Sequence, residues 1–264
     1  MISVSSLTFI RKRVEESFPI NVAAQSLATQ GYFVYDGFLC SNSASDESSN
    51  NDVVFGDELL NEMFGEGVDM LSNDKLDRDI TRLSDGEFVG LITGGEKYKD
   101  CPRLTEYVVS MTRHLPPLLN KFAADVEDNA LPKLDATASM GSLRMYDRPT
   151  RVGTESFFVN SGSGDVALDR SFGVVCGHKE DPTSDSRRIT AILFLSSKTW
   201  DPSTCGGGIT IENGETVGAV RDRLVLLRSD TCFHRQDPWK GSDERDLQQS
   251  GCITVHFVKE LGSA

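Results

Sequence analysis

Apolar positions in the first half of the chain recur mostly at helical spacing, whereas those in the second half come in short alternating or continuous runs. Over residues 5–30 a Ser-rich start leads into FIRKRVEESF. Asn21 is placed to cap VAAQSLATQ and Gly31 to end it, so this stretch predicts helices. YFVYDGFL then reads as a strand. The tract 41–52 (SNSASDESSNND) has nothing to bury and predicts a flexible loop, after which GDELLNEMFGEGVDML resumes helical spacing. A third helical stretch, LTEYVVSMTRHLPPLLNKFAADVEDN, contains Pro116-Pro117, which is expected to kink or split it.

From about residue 137 the texture changes to ASMGSLRMY, SFGVVCGH, RRITAILFLS, GGITIEN, RLVLLRSD and GCITVHFV, each bounded by Gly, Pro, Asp or Ser. Short strands of this kind predict a barrel or jelly roll. The pattern therefore gives an α+β class with a mainly β core (137–260) and a helical support region (1–136). The 264 residues are expected to form one domain. Residues 147–171, Gly/Ser-containing and longer than ordinary connections, read either as a functional lid or as a disordered insertion.

Composition narrows the partners. Lysine plus arginine number 27 against 40 acidic residues, a net charge of −13, which disfavours nucleic acid and anionic membranes. The six cysteines are scattered with no C-x-x-C pair, arguing against a zinc ribbon or a disulfide scaffold and for buried thiols in a reducing compartment. Charges interrupt the N-terminus where a signal peptide needs its apolar stretch, and no run approaches membrane-spanning length. A soluble, cytoplasmic protein is the expectation.

The candidate chemistry begins at His178-Lys179-Glu180, followed after the run RLVLLRSD by His234. Residues i and i+2 of an extended segment face the same side, so His178 and Glu180 can both turn inward, with His234 completing the set from a neighbouring strand. Two imidazoles and a carboxylate on one face of Fe(II) leave positions open for a keto acid and O₂. By itself H-x-E plus a later His is a weak pattern. Its surroundings are more specific: Pro182, Arg187 and Thr190 follow His178, Trp200 precedes Gly206-Gly207, and Ser229-Asp230 precedes His234.

In that order these residues resemble the catalytic region of the prolyl-4-hydroxylase-like branch of the Fe(II)/2-oxoglutarate-dependent oxygenases. QGYFVYDGFL and GGEKYKDCPRLTEYVVSMTRHLPPLLN look like the helical half of its cytosolic prolyl hydroxylases. The resemblance covers most of residues 25–257. It implies a double-stranded β-helix, a jelly-roll or cupin-like barrel flanked by N-terminal helices, with Fe(II) on His178, Glu180 and His234. It also implies 2-oxoglutarate as cosubstrate and ascorbate as reductant.

Three positions depart from the family pattern. Glu180 stands where the family has a metal-binding Asp. Ser250 occupies the position of the basic residue that anchors the distal carboxylate of 2-oxoglutarate, and Phe194 that of an assisting tyrosine. A carboxylate in a dry pocket needs a cation, so Arg245 or Arg144 is expected to substitute. Tyr146, Thr190 and Ser250 are expected to line the cosubstrate region. Ser250, Cys252, Thr254 and His256 share one strand face, which the resemblance makes the barrel interior. His256 then reads either as a substrate or cosubstrate contact or as a core histidine bonded to a neighbour. His114 reads as surface or packing, Arg187 as a loop anchor ahead of an anion site, and Trp200 and Gly206–Gly208 as structural.

The implied activity is C–H oxidation, as hydroxylation, cyclisation or desaturation, of a small amino-acid-derived metabolite. The competing readings are a protein prolyl hydroxylase acting on a polypeptide and an inactive barrel that serves as a binding or sensing module.

Overall fold

The N-terminal helical spacing resolves into separate pieces. Helix α1 (Ser6–Lys12) is capped by Ser5, whose Oγ accepts from the Thr8 N–H at 3.3 Å. It passes into a π-helical turn, Arg13–Ser17, and α2 (Ile20–Thr29) follows. The residue capping α2 is Pro19, not Asn21, which falls inside the first turn. Proline lacks only an N–H that has no helical partner at a helix start, so it can lead the chain into α2 without loss. Gly31 ends α2 at φ +82°, the left-handed conformation that glycine adopts without a Cβ penalty. Strand β1 (Tyr32–Asp36) comes next.

Helix α3 (Ser49–Ser72) begins inside the tract expected to be loop, so 49–52 are helical. A first helical turn needs no buried face. Asp52 lies at the positive end of the helix dipole and takes Lys12 Nζ at 2.9 Å. Strands β2 (Asp77–Arg78) and β3 (Glu87–Ile92), neither of them expected, precede α4 (Pro102–Ala123). Pro116-Pro117 do not split α4. The apolar side of the helix, Leu104, Val108, Met111, Leu115 and Leu119, is buried in the core. Continuous packing on both sides of the prolines outweighs the two missing N–H groups, and Arg113, four before Pro117, is exposed, where water can reach its carbonyl.

The β-rich half contributes β4 (Leu134–Tyr146), β5 (Arg187–Phe194), the single turn α5 (Pro202–Cys205), β6 (Ile209–Ile211), β7 (Thr216–Val217), β8 (Arg223–Arg228), β9 (His234–Gln236) and β10 (Gly251–Lys259). Seven strands form one antiparallel sheet in the order β1-β8-β5-β10-β4-β3-β2, and three form a second, β7-β6-β9. This computed structural model describes residues 5–40, 49–78, 86–92, 98–123, 131–147, 149, 186–211, 213–229, 231–232, 234–241 and 250–260. His178, Glu180, Arg245, Cys176, the 147–171 excursion apart from 147 and 149, and the SFGVVCGH run lie outside them.

Strand alternation gives the large sheet two differently occupied faces. Leu143 and Met145 of β4, Ile189, Ala191 and Leu193 of β5, Leu224 and Leu226 of β8, and Ile253, Val255 and Phe257 of β10 pack with the helices. The alternate residues, Tyr146, Phe194, Val225, Leu227 and Cys252, pack with Ile209, Ile211, Val217, Trp200 and Trp239 of the second sheet and its connections. The space between the two sheets is the barrel interior. Among the described residues no helix is long and apolar enough to cross a membrane. The five described cysteines are free thiols, Cys40 half-buried and the others buried.

Two devices close the ends. Asp222, at φ +61°, accepts from Leu39 N–H at 2.9 Å and Cys40 N–H at 2.8 Å, tying the segment after β1 to the turn before β8. Burial pushes the Asp222 carboxyl above its ordinary value, against the pull of these bonds. At the other end Gly206 and Gly207, at φ +74° and +79°, let the chain pass under Trp239. A Cβ on Gly207 would lie 2.4 Å from the Trp239 ring. Gly207→Ala is therefore expected to cost about 3 kcal/mol through strain and overpacking. Urea unfolding checks this, and a loss below about 1 kcal/mol, within the range of an ordinary surface substitution, would show that the ring yields.

Candidate active site

Strands β9, β4 and β10 aim polar side chains between the sheets. In β9, His234 lies directly opposite Ile211 and Gln236 opposite Ile209. Directly opposed residues share a face, and both isoleucines belong to the interior cluster, so His234 and Gln236 point into the barrel. The Nδ1 of His234 is 3.3 Å from the Cys232 carbonyl. A carbonyl only accepts, so Nδ1 is the donor in this contact, which leaves Nε2 as the nitrogen a cation would take. Two of the three expected ligands, His178 and Glu180, lie outside the described residues. Among the described residues no group of three or more His, Cys, Asp and Glu side chains is placed to hold a metal ion.

From the facing sheet, Arg144 and Tyr146 of β4 meet Gln236. Arg144 Nη1 donates to Gln236 Oε1, and Gln236 Nε2 donates to the Tyr146 hydroxyl at 2.6 Å. Guanidinium has no acceptor, which fixes the orientation of the Gln236 amide. Arg144 Nε also pairs with Glu87 Oε1 of β3 at 2.7 Å, with side chains 7% and 3% exposed. The strut Glu87–Arg144–Gln236–Tyr146 thus crosses from one sheet to the other. Tyr146 stacks on Trp239 with ring centroids 4.3 Å apart, and Phe194 and Trp200 complete an aromatic wall.

A second polar group lies further along β10. His256 Nδ1 is 2.8 Å from Thr190 Oγ1, which is 2.6 Å from Ser229 Oγ. All three are buried. His256 is therefore bonded to a neighbour, as one of its two sequence readings requires. The expected shared face of Cys252, Thr254 and His256 is the interior one, since Cys252 packs in the interior cluster and His256 reaches Thr190. Ser250 is fully buried just before β10. At the mouth of the second sheet, Tyr32 donates to Glu215 Oε2, and that carboxylate raises the phenol above its ordinary value.

No protein-family model and no curated protein matches the sequence. Solved structures do. A prolyl 4-hydroxylase from Phytophthora capsici is 14% identical with a TM-score of 0.62, over 99% of this chain and 68% of its own. A Pseudomonas putida prolyl 4-hydroxylase is 16% identical with a TM-score of 0.59, over 91% of this chain and 99% of its own. A Trichoplax adhaerens prolyl hydroxylase, solved with a hypoxia-inducible-factor peptide, is 14% identical with a TM-score of 0.55, over 96% of this chain and 100% of its own. The fold is that of the prolyl 4-hydroxylases.

On this prolyl 4-hydroxylase fold the structure brings together Arg144, Tyr146, Thr190, His256 and His234 on the interior side of the two sheets, while Arg245 lies outside the described residues. Arg144 points inward beside Tyr146, as expected if ASMGSLRMY is a strand. Its Nε faces Glu87, a partner that sequence reasoning missed because β3 was not recognised. Gln236 was also missed. The signal for it was strand spacing, since it stands two residues after His234, but HRQ alone is too short and polar to read as a strand. His114 pairs with Glu15 at 2.8 Å near the surface, and Trp200 is packed, as expected.

Proposed function

We propose that this protein is an Fe(II)- and 2-oxoglutarate-dependent oxygenase that oxidises a C–H bond of a small amino-acid-derived metabolite. The observation that carries the reading is the convergence, inside a fold shared with prolyl 4-hydroxylases, of an inward His234 whose Nδ1 faces the Cys232 carbonyl and a buried Arg144 two strand positions from Tyr146. The proposed metal ligands are His178, Glu180 and His234. Iron held there would supply O₂ chemistry coupling decarboxylation of the keto acid to substrate oxidation.

The remaining roles fall to the chain's own groups. Arg144, positioned by Glu87 and Gln236, offers the cation that Ser250 lacks for a keto-acid carboxylate. Cys252 lies directly opposite Arg144, so the guanidinium side chain starts one strand away from the Ser250 end of β10. Thr190 and Ser229 orient His256 toward the substrate, and the aromatic wall of Tyr146, Phe194, Trp200 and Trp239 keeps water out. The near-complete burial of these polar groups favours a substrate small enough to enter the barrel. The second reading, a protein prolyl hydroxylase, draws on the likeness to the Trichoplax enzyme bound to a peptide.

Incubation with Fe(II), ascorbate and 2-oxoglutarate is expected to release succinate slowly without added substrate and faster with the right one. Acceleration by free amino acids supports the metabolite reading, and acceleration by proline-containing peptides supports the alternative. A chain that neither turns over nor binds the keto acid is a binding or sensing module.

A further inference from the structure

The barrel interior contains a buried hydroxyl that the fold leaves unused. Ser142 is 1% exposed, and its Oγ has no hydrogen-bond partner among the described residues. It lies between Met140 and Arg144 on the face of β4 that looks into the barrel, because Arg144 and Tyr146 on the same alternation reach Gln236 there. On the other face, Gly141 abuts Val108 of α4, where an added Cβ would sit 2.6 Å from the valine side chain. Thr254 of β10 is directly opposite Ser142, and His256 follows Thr254 on that face. Arg144, Ser142, Thr254 and His256 therefore form a polar stripe along two paired strands. Ile192 of β5, opposite Thr254 on its other side, is apolar and packs with the interior cluster.

A buried hydroxyl without a partner destabilises the fold compared with a satisfied one. Nothing in the sheet requires a hydroxyl at 142, since the β4 ladder to β3 and β10 is made by backbone groups. Other unpartnered hydroxyls lack such a setting. Tyr107 Oη is in the helix-side core, edge-on to Phe38, and Ser196 Oγ is on the segment after β5 whose carbonyl takes Arg221. Among the described unpartnered hydroxyls only Ser142 stands in a row with a buried cation and a histidine.

Resting on the oxygenase reading, we infer that Ser142 is a specificity-determining contact, its hydroxyl donating to a carboxylate oxygen of the keto acid held by Arg144. Positions i and i+2 on one strand face are about 6.5–7 Å apart. The long Arg144 side chain and the short Ser142 hydroxyl can thus reach two oxygens of one small acid.

The test compares the full chain with Ser142→Ala and Ser196→Ala by calorimetric titration of 2-oxoglutarate in the presence of Mn(II), with thermal unfolding of each protein lacking ligand. Ser142→Ala is expected to unfold at the same temperature or higher, because it deletes an unpaired polar group. It is also expected to bind the keto acid about tenfold more weakly, the effect of losing a hydrogen bond to a charged group. Ser196→Ala is expected to bind normally. Equal affinity in the unsubstituted chain and Ser142→Ala overturns the assignment and leaves the oxygenase reading standing. Equal weakening in both variants also overturns it, as a general effect on the fold. Failure of the unsubstituted chain to bind 2-oxoglutarate overturns the oxygenase reading and this assignment with it.

Discussion

His234→Ala is expected to abolish 2-oxoglutarate-dependent succinate release and to weaken metal binding by more than about a hundredfold, the upper end of what losing an outer hydrogen-bond partner of a metal ligand does. His234 is the one proposed ligand whose direction is described. It faces the interior opposite Ile211, and its Nδ1 faces the Cys232 carbonyl, which leaves Nε2 as the nitrogen a cation would take. Removing the imidazole deletes a donor that neither Glu180 nor His178 can replace from a separate segment. The fold should barely notice, because the position is only half-buried and the bond to Cys232 contributes about 1 kcal/mol. Titration with Co(II), followed by its visible absorption, reads the metal, and urea unfolding of the metal-free protein reads the fold. Unaltered Co(II) affinity in a folded variant would remove His234 from the site and dismantle the proposed ligand set.

Arg144→Leu is expected to be the most destabilising of these substitutions, by about 3–5 kcal/mol, because it strands a carboxylate in the interior. Glu87 is 3% exposed and faces the Arg144 Nε at 2.7 Å. Without the guanidinium, the Glu87 carboxylate loses its counter-ion in a poor solvent, and Gln236 loses the donor that orients its amide. Glu87→Leu combined with Arg144→Leu is expected to recover most of the loss, since no charge is then left buried. The double variant still lacks the proposed keto-acid cation, so stability should return without 2-oxoglutarate binding. Urea unfolding of the single and double variants measures the coupling. If Arg144→Leu alone unfolds within about 1 kcal/mol of the unsubstituted chain, the strut does not hold the two sheets together.

Four long strands of the second half were legible because each carries its own pattern. ASMGSLRMY, RRITAILF, RLVLLR and GCITVHFV alternate between a helix-side set and an interior set, and β4, β5, β8 and β10 occupy those segments. Gly31 and Gly206–Gly207 were legible for a related reason, since a left-handed backbone or a ring pressed against the chain excludes other residues. The 49–52 stretch was misread as loop, and of the two outcomes expected at Pro116-Pro117 the split does not occur. Local propensity speaks for loop and for breakage there, and neither speaks for Lys12 waiting beside Asp52 or for the sheet packed along α4.

By its own order of residues the chain determined the main strands of its β-rich half and the shared face of Cys252, Thr254 and His256 on β10. These follow from period-two alternation and from residue identities, which need no knowledge of distant neighbours. Only the tertiary structure decided that Arg144 is matched by Glu87, that Gln236 ties the small sheet to the large one and that Ser142 has no hydrogen-bond partner among the described residues. Each of these is a relation between strands far apart in sequence, set by register across the sheets, and register is a property of the packed molecule that no single segment carries.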